Sequence, residues 1–128
     1  MITNADITIF NRHVENDVDV WYSTKIQNVH LYTDNKIDSD IDGIKGISVF
    51  KIRIPVSSFF KKYISKEEYQ EQKDVSDVFT IQNEDWIYIG LTDIEITKPS
   101  DIPYPKCMIT GFSINLFGGL PHIRLQGE

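Results

Sequence analysis

One cysteine in 128 residues, Cys107, cannot form a disulfide within the chain. Nothing in the cysteine usage therefore points to an oxidising compartment. Long apolar runs are also missing: none approaches the roughly 20 residues needed to span a bilayer, and Met1–Asp6 lacks the basic and apolar regions of a secretory leader. The expectation is a protein of the cytoplasm with no membrane partner. Basic residues are in the minority, 13 against 19 acidic, for a net charge of −6. That sign disfavours tight, sequence-specific DNA binding, which depends on neutralising phosphates and releasing counterions. It does not forbid weak contact with passing DNA, because a channel wall for a sliding polyanion benefits from being non-adhesive.

Catalytic and metal-binding patterns are scarce too. His13, His30 and His122 are far apart in sequence and have no carboxylate or cysteine at metal-ligand spacing. Gly118-Gly119 has neither the spaced glycines nor the lysine of a phosphate loop. Cys107 and His122 form a conceivable nucleophile and base, but no glycine-rich oxyanion loop accompanies the thiol. Asp38-Ser39-Asp40-Ile41-Asp42-Gly43 opens like a calcium loop, yet its twelfth position is Val49 where a bidentate glutamate belongs. The reading is a protein without a cofactor, a metal or an enzymatic activity.

What is present is a β-rich pattern. The chain is 41% apolar, with seven Phe, six Tyr and two Trp to build a core. Ile7–Phe10 reads as a first strand, ended by the polar stretch Asn11–Asp17. Val18, Val20, Tyr22, Thr24 and Ile26 alternate with polar neighbours, and Val29–Thr33 follows a turn at Asn28 as a hairpin partner. Ile47–Ile54 is a strand ended by Pro55, which cannot donate to a ladder. Ser65-Lys66-Glu67-Glu68 has capping-box spacing for a short helix that lays Tyr69 on a β surface. Val78–Ile81 and Trp86–Leu91 flank a turn and read as a hairpin, and three prolines in 99–105 make an extended loop. Cys107–Phe117 carries apolar residues on both faces, the mark of a strand covered on each side. The expected fold is a single domain, residues 1–128, mainly β: a small barrel or sandwich with long loops and one short helix.

Two surfaces stand out by charge. Asp34–Gly46 has no persistent period and reads as a long acidic loop carrying Asp34, Lys36, Asp38, Asp40, Asp42 and Lys45. Lys51, Arg53, Lys61, Lys62 and Lys66 form the one basic concentration, which reads as an interface between proteins or a solvated face. Opposite charge on the two surfaces suits head-to-tail contact between identical subunits.

The succession Asp6-Ile7-Thr8-Ile9-Phe10-Asn11-Arg12, Trp21-Tyr22-Ser23-Thr24-Lys25-Ile26, Val29-His30-Leu31-Tyr32, Ile52-Arg53-Ile54-Pro55, Lys61-Lys62-Tyr63-Ile64 with Glu68-Tyr69, Phe79–Gln82, Asp85–Gly90 and Gly119-Leu120-Pro121-His122 resembles small head–tail connector proteins of tailed phages and prophages of Gram-positive bacteria. These are described as head-closure, stopper or minor capsid proteins. The likeness runs in order along nearly the whole chain, with Glu84-Asp85 standing where many of those proteins carry Gly-Asp. It implies a virion structural protein, a β-barrel subunit assembled in the host cytoplasm into a neck ring of six or twelve copies. Its implied neighbours are a portal or adaptor protein on one side, a tail terminator or tail tube protein on the other, and packaged double-stranded DNA in the channel. Under that resemblance the loop of Asp34–Gly46 is the channel-closing candidate. Lys51, Arg53, Lys61, Lys62, Ile109 and Phe117 are the subunit-interface candidates. A tail terminator, another neck ring and a small ligand-binding barrel are the alternatives.

Overall fold

The structure is a computed structural model and describes residues 4–40, 43–59, 61–116 and 121–128, with side chains described in those ranges except at 33–48. Strands β1 (Ala5–Glu15), β2 (Val18–Asp40) and β3 (Gly43–Pro55) come first. A 3-10 turn at Val56–Ser58, β4 (Lys62–Tyr63), helix α1 (Lys66–Glu71) and β5 (Val78–Phe79) follow. β6 (Trp86–Ile89), β7 (Lys106–Asn115) and β8 (His122–Gly127) complete the chain. Six of the strands close into an antiparallel barrel in the order β1-β2-β3-β8-β7-β6, with β6 pairing back onto β1. The expectation of a mainly β, barrel-like domain with one short helix is met.

Local chemistry explains the connections. Asn16 and Asp17 both have positive φ, 51° and 62°, the mirror-image turn whose twist matches a two-residue hairpin. The β1–β2 ladder then runs from Glu15↔Val18 to Ile7↔Ile26 and shifts by one residue to Ala5↔Val29. Asn28, at φ 61°, is the residue that the bulge leaves over, and its N–H donates to Asp6 Oδ1 at 3.1 Å. The turn expected at Asn28 is thus a bulge inside one long strand, because asparagine tolerates left-handed backbone without forcing the chain to reverse.

The barrel interior holds Ile7, Ile9, Ile26, Ile52, Ile54, Ile87, Cys107, Ile109, Ile123 and Leu125. The segment between β3 and β6 adds Phe79 and Ile81, with Phe59 and Tyr63 packed edge-on to Phe79 at centroid distances of 5.1 and 5.7 Å. β5 pairs in parallel with β4, so the hairpin expected between Val78–Ile81 and Trp86–Leu91 does not form. The turn itself is real, closed by Asp85 N–H donating to Gln82 O, and Glu84 in it has φ 72°, a conformation glycine adopts at least cost. Ser65 caps α1 by accepting from the Glu68 N–H, which is the serine half of the capping box, and Tyr69 is fully buried as expected.

A second cluster lies on the outer side of β1 and β6. Phe10 meets Ile96 and Ile102 there, flanked by Trp21, Trp86 and Tyr88, so the proline-rich segment is strapped over the barrel wall. Gly127 is required where β8 crosses β7: a Cβ at that position would stand 2.7 Å from Cys107 Sγ and 2.8 Å from the Met108 carbonyl.

The two apolar faces of Cys107–Phe117 have a different origin from the one expected. The β7–β8 ladder shifts register between Ile109 and Gly111, so Cys107 and Ile109 point inward before the shift, and Phe112 and Ile114 pack against the same core after it. One buried face changes parity at a bulge, and the sequence shows that change as two.

Candidate functional site

Four neighbouring strands, β2, β3, β8 and β7, present two consecutive outer rungs. The first runs Tyr32↔Lys51, Lys51↔Gln126 and Gln126↔Gly111. The second runs His30↔Arg53, Arg53↔Arg124 and Arg124↔Ser113. Between and beside them, Leu31, Ile52, Leu125 and Phe112 face the core, so period 2 sends this polar set outward. The result is an open groove of about 410 Å³.

Among the described residues, three cations and no carboxylate line that groove. Arg53 is half-buried and Arg124 exposed, and the two stand directly opposite each other, an arrangement of like charges that costs a sheet stability unless an anion offsets it. Arg53 Nε is buried and has no hydrogen-bond partner. Lys51 Nζ lies 5.9 Å from the centroid of the exposed Tyr32 ring, and Tyr32 in turn contacts His30 at 5.4 Å. The groove offers guanidinium forks, an ammonium, a hydroxyl from Ser113 and an aromatic face to an anionic ligand.

The basic residues grouped in sequence separate in space. Lys51 and Arg53 lie in the groove. Lys61 donates to Ser23 O at 3.0 Å in a different depression beside Leu91, where burial lowers its pKa against an opposing pull from Asp77. Lys62 is exposed on β4 and Lys66 begins α1. Sequence reading missed Arg124, since only the β3–β8 register brings it beside Arg53. Its one signal was strand alternation in His122–Gly127, with Ile123 and Leu125 inward. Ile109 is withdrawn as an interface residue: it is fully buried in this chain's own core. Phe117 lies outside the described residues.

Asp34–Gly46 is not an irregular loop. Its described backbone continues β2 and β3 as a two-stranded ribbon paired rung by rung from Asp34↔Val49 through Lys36↔Ile47 and Asp38↔Lys45 to Asp40↔Gly43. The pairing was not legible because the isoleucines there follow no persistent period, and alternation is the signal from which a strand is read. Asp42 lies outside the described residues, as does the tip of the calcium-like motif.

A second polar cluster is buried, at the edge of β1 beyond its last rung with β6, Phe10↔Trp86. Asp85 Oδ2 accepts from Asn11 at 2.9 Å and Gln82 at 2.8 Å, and Oδ1 accepts from the Arg12 N–H at 3.2 Å. Gln70 accepts from the Val14 N–H and donates to the Arg12 carbonyl at 2.7 Å. Asn11 exchanges hydrogen bonds with both Thr80 backbone groups. These side chains stand in for a missing neighbouring strand, which is why the polar stretch from Asn11 extends β1 where it was expected to end it. Burial raises the Asp85 pKa to about 6 against the pull of its three donors.

Other reactive groups are dispersed. Cys107 is enclosed in the core, where burial pushes its thiol up to about 12, far from a nucleophilic thiolate. It pairs with Ile87 near one end of β7, whereas His122 pairs with Asn115 near the other, roughly 26 Å away by strand rise. His13 is buried with Nε2 2.8 Å from Gln72 O, packed edge-on to Tyr69 and Tyr22. Among the described residues no three His, Cys, Asp or Glu side chains are grouped to hold a metal ion. No helix of the described residues is long and apolar enough to cross a membrane.

Nothing among the curated proteins or the solved structures matches the chain. Residues 2–128 match the family of unknown function DUF6751, and the chain belongs to that family.

Proposed function

We propose that this protein is a structural subunit of a tailed-phage neck, forming a ring between portal or adaptor and tail that closes the DNA channel and joins head to tail. The observation that carries the reading is the ribbon: beyond Phe50↔Gly127 on β3 and the contacts of Asn4 with Leu31 on β2, the described residues of 34–49 pair with one another from Asp34↔Val49 to Asp40↔Gly43. A barrel with a projecting two-stranded arm is the form expected of a ring subunit that must reach a central channel. The arm's sequence, with Asp34, Asp38, Asp40 and Asp42 against Lys36 and Lys45, gives it the sign that keeps DNA from adhering. Of the interface candidates, Lys62 is exposed on β4 and stays one in this reading, whereas Lys51 and Arg53 line the groove. A mainly helical adaptor does not suit a chain whose one α-helix among the described residues spans six residues. A ligand-binding barrel does not suit an interior filled by Ile, Phe and Leu. A tail terminator ring is the alternative within the same neck.

The test is deletion of residues 36–44 in the phage or prophage that encodes the chain. Particles are expected to assemble heads that lose their DNA, and removal of the whole protein should give separate heads and tails by negative-stain microscopy. Heads that keep their DNA after the deletion would count against channel closure. A gene position far from portal, capsid and tail tube genes would count against the neck altogether.

A further inference from the structure

We infer that the outer groove of β3, β8 and β7 is a binding site for the phosphodiester backbone of a nucleic-acid strand, with Arg53 and Arg124 as the phosphate forks, Lys51 as a second cation and Tyr32 as an adjoining stacking face. The inference does not rest on the neck reading, since the groove and the ribbon tip are different surfaces.

Its first support is the cross-strand pair. Two guanidiniums in register on adjacent strands repel, yet among the described residues no ion pair engages either Arg53 or Arg124. An anion between them converts that repulsion into two charge-assisted contacts. The second support is Arg53 Nε, a buried donor without a partner beside the groove. Such a donor costs stability unless a ligand or solvent satisfies it, and one oxygen of a phosphate does so. The third is composition: the groove joins cations to the exposed Tyr32 ring, with Ser113 and Gln126 as further polar contacts and no Asp or Glu among its described lining residues. Cations interleaved with an aromatic ring on a sheet face are what strand-binding surfaces use to hold backbone and base together. A net charge of −6 sets the expected strength, weak and salt-sensitive binding in place of tight recognition.

The test is fluorescence anisotropy with the full chain and labelled oligonucleotides, single-stranded and duplex, across a salt series. Binding of the single strand at low salt is expected, with log affinity falling against log salt at a slope of about −2 for three phosphate contacts. Arg124→Gln, a change at an exposed side chain, should weaken it about tenfold and flatten the slope by about 0.7. Tyr32→Ala should weaken the single strand and leave the duplex unchanged. Circular dichroism checks that each variant folds, and Lys66→Gln, outside the groove, is the charge-matched control. The assignment fails if no oligonucleotide binds at low salt, or if Lys66→Gln lowers affinity as much as Arg124→Gln. It also fails if inorganic phosphate binds as tightly as the strand, which makes the groove a small-anion site. A synthetic peptide of residues 34–46 that binds where oligonucleotides do not would overturn it in favour of contact between copies of this chain.

Discussion

Asp85 carries the clearest residue-scale consequence. Its carboxyl is enclosed, and burial raises its pKa from the ordinary 3.8 to about 6. Between those values the folded protein holds a proton that the unfolded chain has released, so protonation favours the fold. The contribution is fully present below about pH 4, declines as pH rises through 6 and is flat above that. Its full span is about 3 kcal/mol, from two units at about 1.4 kcal/mol each. Denaturant midpoints measured between pH 4 and 8 should show this decline in the wild type and lose it in Asp85→Asn, and parallel pH profiles for the two proteins would sink the assignment. In the sequence this residue reads only as a turn position before Trp86, because its burial depends on Asn11 and Arg12 arriving from a distant part of the chain. Asn28 and Ser65 were better marked, one by left-handed tolerance and the other by capping spacing, since both signals are local.

Among the elements, the free edge of β1 is the most dependent on side chains. Gln70 reaches it from α1, accepting from Val14 N–H and donating to Arg12 O and Gln82 Oε1. Gln70→Ala should lower stability by about 1 kcal/mol, because the part-buried Arg12 carbonyl loses one of its two donors, the exposed Val14 N–H loses its acceptor and a strand edge opens. Gln70→Glu, which keeps the acceptor for Val14, should cost less; equal urea midpoints for Gln70→Ala and wild type would show that the edge needs no cap. Strand positions in β2 and β3 were legible from alternation, and those in β1, β6 and β7 from short apolar runs. Their partners were not: periodicity says which face is buried, and register comes only from closure of the barrel. The β7 bulge illustrates the limit, since a change of parity at Thr110 reads in sequence as a strand with two apolar faces.

For the whole molecule, barrel and ribbon are separable by their hydrogen bonding. Among the described residues, no strand other than β2 and β3 pairs with the rungs of 34–49. Deleting residues 36–44 should therefore change the unfolding free energy by less than about 1 kcal/mol, as expected when a surface segment lies outside the core. A large loss of stability in thermal melts would place the ribbon within the folding unit and would also confound the DNA-release experiment. Fold class was readable from composition and alternation, and the basic face only in part. Lys51 and Arg53 are neighbours in sequence, whereas Arg124 joins them across more than half the chain.

The ribbon also has the properties of an adjustable ruler. Each rung pairs one residue of β2 with one of β3, so adding or removing a matched pair of residues on both strands keeps every inward and outward position unchanged. Its length can change in steps of about 6.6 Å while the barrel stays as it is. In the neck reading proposed above, descendants of one ancestral chain could fit channels of different bore by such paired insertions alone.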